Sequence, residues 1–296
     1  QAGYDTFIDK FCQNETTPSG QRSCLQKVNA TLLMGQSPDN LEWCTNTTCC
    51  SKYGNTISFV KWAPVIDGKI IPGHPMNQVR NGKINKSVKK ALLGTNLNEG
   101  TLFIPRLHHD ATPADYEKWI GTEFGNSLAP GVQELYPASN YSSPWWAAAM
   151  CVTDGMMACP SRATATGLTA VGVETFLYQF VHEWDEGALL DKYLGVCHGS
   201  ELPFIFHLDD GIVHLPNGDD LPVVFTLREH LLSTRMVQYW TCFARTGLPQ
   251  QCYGDVAWPV YNTSSDMNLR IGLEITTNSH LKEKACDFWI DNLVYD

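Results

Sequence analysis

Two short segments hold the residues best suited to chemistry. Glu99 ends the run Gly94-Thr-Asn-Leu-Asn-Glu-Gly100, directly after an apolar stretch that reads as a buried strand. In open α/β sheets, ligands and catalytic side chains gather at the carboxyl ends of strands. His198 lies in Leu194-Gly-Val-Cys-His-Gly-Ser-Glu-Leu-Pro-Phe204, among small and apolar neighbours. A histidine there can act as a general base, because its unperturbed pKa lies near neutrality. Each residue alone also has a plainer reading, a solvated loop glutamate and a hydrogen-bonded structural histidine. An acid followed by a histidine is the chain order an α/β-hydrolase places after its serine nucleophile. The Gly-x-Ser-x-Gly elbow for that serine is absent: Gly125-Asn-Ser127 and Gly199-Ser200 both fail at the second glycine. Ser200 is close to His198 in sequence, but that adjacency gives no nucleophile-to-base geometry, and it reads as structural.

The elements that must position these residues alternate between strand and helix. Tyr4, Phe7, Ile8 and Phe11 recur at helical spacing, and a second helix is expected over Cys24 to Met34. Residues 35–55 read as a polar, Cys-rich surface excursion, and Ile57 to Val65 as a strand. Lys90 to Leu97 suits a buried strand, and Thr112-Pro113-Ala114-Asp115 suits a helix start. Trp145 to Ala170 reads as helix broken near Pro160, and Val173 to His182 as strand. Thr226-Leu-Arg-Glu229 is a capping box opening a helix to Arg245, with Gly247 as its stop. A strand over Met267 to Ile275 and an amphipathic helix over Leu281 to Leu293 complete an α/β pattern. No repeat or linker divides residues 1–296, which read as part of one domain.

Composition excludes several function classes. Hydrophobic residues are 43% and charged residues 18%, so the chain is globular and not disordered. A formal net charge of −10 without a basic cluster argues against nucleic acid as a partner. No run approaches the roughly 20 apolar residues of a transmembrane helix. Eleven cysteines and six Asn-x-Ser/Thr sequons, at Asn14, Asn29, Asn46, Asn85, Asn140 and Asn262, together favour a secreted glycoprotein. The odd cysteine count leaves at least one free or paired with another chain. No Cys-x-x-Cys pair exists, and the cluster Cys44, Cys49 and Cys50 has no nearby histidine, so no structural metal is expected. The start at Gln1, without Met or signal peptide, implies a longer precursor.

Several segments together resemble type-B carboxylesterases, lipases and cholinesterases. They are Ala63-Pro-Val-Ile-Asp-Gly68, Leu93 to Phe103, Gly195 to Phe204, Tyr239 to Pro249 and Trp258-Pro-Val-Tyr261, in family order along essentially the whole chain. The resemblance implies the C-terminal half of an α/β-hydrolase fold, a mixed central sheet flanked by helices. It implies that Glu99 is the triad acid and His198 the triad histidine, and that Leu102 and Phe103 line the ester pocket. In vertebrate-like cholinesterases the position of Leu102 is usually aromatic and holds a quaternary ammonium by cation–π attraction. Leucine points instead to neutral esters, as in fungal-type lipases and carboxylesterases. The resemblance also implies disulfides Cys12–Cys24 and Cys159–Cys286. It gives no firm support for Cys242–Cys252, which are close enough in sequence to pair, and Cys197 reads as a buried thiol. Family members are about twice as long, so the serine-bearing half is expected on a second chain cut from the same precursor. No cofactor is required. Some relatives keep the fold and lose triad members, so the alternative is a non-catalytic adhesion or structural protein.

Overall fold

A computed structural model describes residues 8–29, 32, 66–104, 107–185, 193–209, 211–214, 220–250, 252 and 256–292. The strand expected over Ile57 to Val65, the sequon at Asn46 and Cys44, Cys49 and Cys50 lie outside these residues. The chain divides into two compact units, Gln1–Asn46 with Val60–Ala63, and Thr47–Phe59 with Pro64–Asp296. In the first, helix α1 (Pro18–Leu25) begins at Thr17, whose side chain accepts from Gly20 N at 3.1 Å. Of the helix expected over Cys24 to Met34, Cys24, Leu25 and Leu32 are helical, residues 26–29 are not, and residues 30, 31, 33 and 34 lie outside the described residues. Thr17-Pro18 supplies the cap and first-turn proline of α1. Cys12 is disulfide-bonded to Cys24.

In the second unit the elements run in chain order. They are α2 (Pro75–Arg80), β1 (Lys90–Asn96), α3 (Pro113–Leu135), α4 (Pro144–Thr153), α5 (Cys159–Ala170), β2 (Glu174–Phe180) and α6 (Leu202–Phe206). They continue with β3 (Ile212–His214), β4 (Asp220–Pro222), α7 (Leu227–Thr246), β5 (Met267–Ile271), β6 (Thr276–Ser279) and α8 (Glu283–Asn292). The main sheet has the order β1-β2-β5-β6, parallel through β5 and antiparallel at β6. Strands β3 and β4 form a separate antiparallel pair. This mixed sheet flanked by helices has the layering that the resemblance to an α/β-hydrolase implies.

Alternation along β2 explains why helices cover both faces of the sheet. Phe176, Tyr178 and Phe180 join Met236, Tyr239, Trp258, Leu269 and Ile271 in one core, on the side of α7. Leu177 packs with Ala165 of α5, Tyr261 and Leu281 on the other. Burying each of these phenylalanines contributes about 2–3 kcal/mol relative to exposure. A further cluster of Tyr116, Trp119, Trp145, Cys159, Cys286 and Trp289 binds α3, α4, α5 and α8 together. The Cys159–Cys286 bond fastens α8 to α5 across a separation of 127 residues. In the chain-entropy account, closing such a loop contributes roughly 5 kcal/mol. Cys242 and Cys252 are also bonded.

Two helix starts are local and strong. Thr112 with Asp115 and Thr226 with Glu229 form reciprocal capping boxes, and Gly247 ends α7 at φ 74°. The break expected near Pro160 is not there. Residues 144–170 run through as α4, a π turn at Asp154–Ala158 and α5, with Pro160 in the first turn of α5. A proline's ring crowds the carbonyl four residues earlier, and the wider π turn before it relieves that crowding. The expected strand to Ile275 stops at Ile271, and the chain turns back as β6.

Candidate active site

Strand β1 delivers Glu99 to the edge of the sheet on a short 3-10 turn, Glu99–Leu102. That turn is pressed against α4. Gly100 N donates to Thr153 Oγ1 at 2.9 Å, and a Cβ at Gly100 would collide with the Ala149 carbonyl oxygen. Only glycine permits so close an approach. The His198 loop is then sewn to this turn by reciprocal bonds. Asn98 N donates to Val196 O at 2.9 Å, and Val196 N donates to Asn98 Oδ1 at 3.0 Å. Thr101 Oγ1 donates to Leu194 O at 2.8 Å. Gly195, at φ 53°, faces Asn98 Oδ1 where a side chain would intrude.

The result is a buried carboxylate under a half-exposed imidazole. Glu99 Oε2 lies 2.6 Å from His198 Nδ1, with side-chain exposures of 6% and 51%. Glu99 Oε1 accepts from Asn96 N at 2.7 Å, so both carboxylate oxygens are occupied. A carboxylate only accepts, so Nδ1 carries the proton, and Nε2 holds the lone pair of the neutral ring. Among the described residues nothing bonds to Nε2. The hydrogen bond to Glu99 holds the His198 pKa above the usual histidine value, against partial burial, and the Glu99 and Glu201 charges add to it. Phe103 meets the His198 ring edge-on at 5.2 Å, and Leu102 is half-buried at the end of the same turn.

Asn96 and Glu201 join the site without any motif to mark them. Asn96 Nδ2 donates to Glu201 Oε2 at 2.5 Å and to Cys197 O at 2.8 Å, bracing the histidine loop from below. Burial raises the Glu201 carboxyl, with the Asn96 bond opposing. Both residues stand within the quoted segments, but no spacing rule links positions 105 residues apart. Ser200 Oγ donates to Cys197 Sγ at 3.4 Å and is not bonded to His198. Burial pushes the Cys197 thiol up, which keeps it protonated and a poor nucleophile. Cys151 is also a free thiol, and burial raises it well above the ordinary value. The asparagines of the five described sequons, Asn14, Asn29, Asn85, Asn140 and Asn262, are all exposed. No helix among the described residues is long and apolar enough to cross a membrane.

A profile described as Carboxylesterase family matches residues 7–289. Neuroligin-3 of Mus musculus is 27% identical over 267 residues, covering 78% of this chain and 31% of that protein. Acetylcholinesterase of Bungarus fasciatus is 27% identical over 245 residues, covering 77% of this chain and 38% of that protein. The chain therefore spans about a third of the length of the curated relatives it matches.

Proposed function

This chain belongs to the carboxylesterase family, and we propose that it is the acid- and histidine-bearing part of a secreted carboxylic ester hydrolase. The observation that carries this reading is the 2.6 Å contact between buried Glu99 and Nδ1 of half-exposed His198, with Nε2 left toward solvent. The serine comes from the N-terminal half of the same precursor, as a companion chain. Its hydroxyl oxygen attacks the ester carbonyl while its proton passes to His198 Nε2. Glu99 stabilises the imidazolium, which then protonates the leaving alcohol. Water deacylates the enzyme by the same route in reverse. Backbone N–H groups of the companion hold the oxyanion. Support for a serine outside these residues is the absence of Gly-x-Ser-x-Gly within them. Three disulfides among the described residues support an extracellular setting.

A non-catalytic adhesion role is the second reading. It is favoured by the equal 27% identity to neuroligin-3 and to acetylcholinesterase, so similarity alone does not separate the two. Retention of both Glu99 and His198 in bonding geometry supports the enzyme.

Leu102 and Phe103 shape the pocket in this reading. The complete two-chain protein should hydrolyse a short neutral p-nitrophenyl ester with higher kcat/KM than a choline ester, because Leu102 offers no aromatic face to a cation. Parallel steady-state assays check it. A preference for the choline ester would overturn the pocket assignment and leave the dyad standing.

A further inference from the structure

Three segments meet near the first turns of α7. His207 follows α6 directly, Asp209 lies two residues on, and His230 stands in α7 itself. One ligand atom from each lies within 4.8 Å of the others. His230 Nδ1 is 3.5 Å from Asp209 Oδ2, and the His207 and His230 ring centroids are 5.7 Å apart. Among the described residues no lysine or arginine pairs with Asp209. His207 is exposed, and Asp209 and His230 are partly so.

A buried relay fixes the state of His207. Ser233 Oγ lies 2.8 Å from the Phe204 carbonyl oxygen, which can only accept, so the single hydroxyl proton is committed there. At 2.7 Å, Ser233 Oγ must therefore accept from His207 Nδ1. Nδ1 carries the proton and Nε2 the lone pair. A ring nitrogen held by an outer acceptor so that the other can ligate is the usual support of a metal-bound histidine. His207 also adopts φ 53° and ψ 47°, a left-handed conformation that favours glycine.

Two other clusters, each of one histidine and two carboxylates, fail this test. His182 and Asp185 N both bond Glu229 Oε1, and Glu229 Oε2 closes the Thr226 capping box, so those donors are spent. Asp266 is held by the Arg162 guanidinium, whose charge repels a cation.

We propose that His207, Asp209 and His230 bind a borderline divalent cation of the Zn2+ type, with water completing the coordination. Two imidazoles and one carboxylate suit such ions and not Ca2+ or Mg2+, which take oxygen donors. Donors about 3.4 Å apart, the edge of a tetrahedron on ~2.1 Å bonds, are reached by rotating exposed side chains. The ion would clamp α6, which directly follows the His198 turn, to α7.

Titration of EDTA-stripped protein with Zn2+ at neutral pH, by calorimetry, tests this. One saturable equivalent is expected, and Co2+ in its place should show visible d–d absorption. The double variant His207→Ala/His230→Ala should bind at least ~100-fold more weakly, and Ser233→Ala about 10- to 100-fold more weakly. Should the double variant misfold by circular dichroism, Asp209→Asn, nearly isosteric, must still weaken binding. Absence of saturable binding, an equivalent that persists unchanged in the double variant, or full affinity in Asp209→Asn would each overturn the site.

Discussion

Replacing His198 by alanine is expected to lower ester hydrolysis by the complete protein at least ~1000-fold. The substitution removes the imidazole that takes the serine proton in the proposed mechanism, while the loop that carries it keeps its bonds to Asn98 and Thr101. It also leaves Glu99 Oε2 buried without its partner, a destabilisation of about 1–3 kcal/mol. Thermal unfolding of the variant must accompany the assay, so that lost activity is not lost fold. The wild-type pH profile carries the same signature. His198 must be neutral to act as base, and its pKa lies above the ordinary 6.5. Activity should therefore fall as pH drops through that raised value. Stability runs the other way. The Glu99 interaction with protonated His198 is fully present below the unfolded pKa and is lost as pH rises through the folded one. Near-normal turnover by His198→Ala would remove the esterase assignment.

The second large effect is Glu99→Gln, expected to cost about a hundredfold or more in kcat/KM. Glutamine keeps the shape but offers one oxygen where Glu99 offers two, and both Asn96 N–H and His198 Nδ1–H need an acceptor. It also removes the charge that stabilises the imidazolium. Because Glu99 acts only through His198, the double variant Glu99→Gln/His198→Ala should be little slower than His198→Ala alone. Losses that multiply instead would mean that Glu99 contributes independently, and the dyad assignment would fail.

How much of this was legible in the sequence follows from the range of each interaction. The capping boxes at Thr112 and Thr226 are written within four residues, and the structure forms both. The apolar runs that become β1 and β2 are equally local. Membership in the carboxylesterase family was legible as an ordered set of segments, none decisive alone. The π turn at Asp154–Ala158 was not, because it answers to packing: Asp154 is buried against Tyr136 OH at 3.0 Å and Lys282 Nζ at 2.8 Å. The kink of α3 at Gly125 looked like a failed serine motif and is a left-handed glycine. At the site, Glu99 and His198 could be singled out as candidates and the structure brings them into contact, but their bracing could not be read. Asn96 to Glu201 and Asn98 to Val196 are contacts between residues about a hundred positions apart, which only the parallel pairing of β1 and β2 brings together. The donors His207, Asp209 and His230 escape motif reading for the same reason, since they straddle two elements and a turn.

The central claim is that Glu99 and His198 activate a serine lying outside these 296 residues. It is tested most directly by treating the purified native protein with a serine-directed fluorophosphonate and sequencing the labelled peptide. One label is expected, on a Gly-x-Ser-x-Gly peptide outside these 296 residues, formed rapidly by the wild type and very slowly by His198→Ala. Absence of any label, or equal labelling rates in the wild type and His198→Ala, would contradict it.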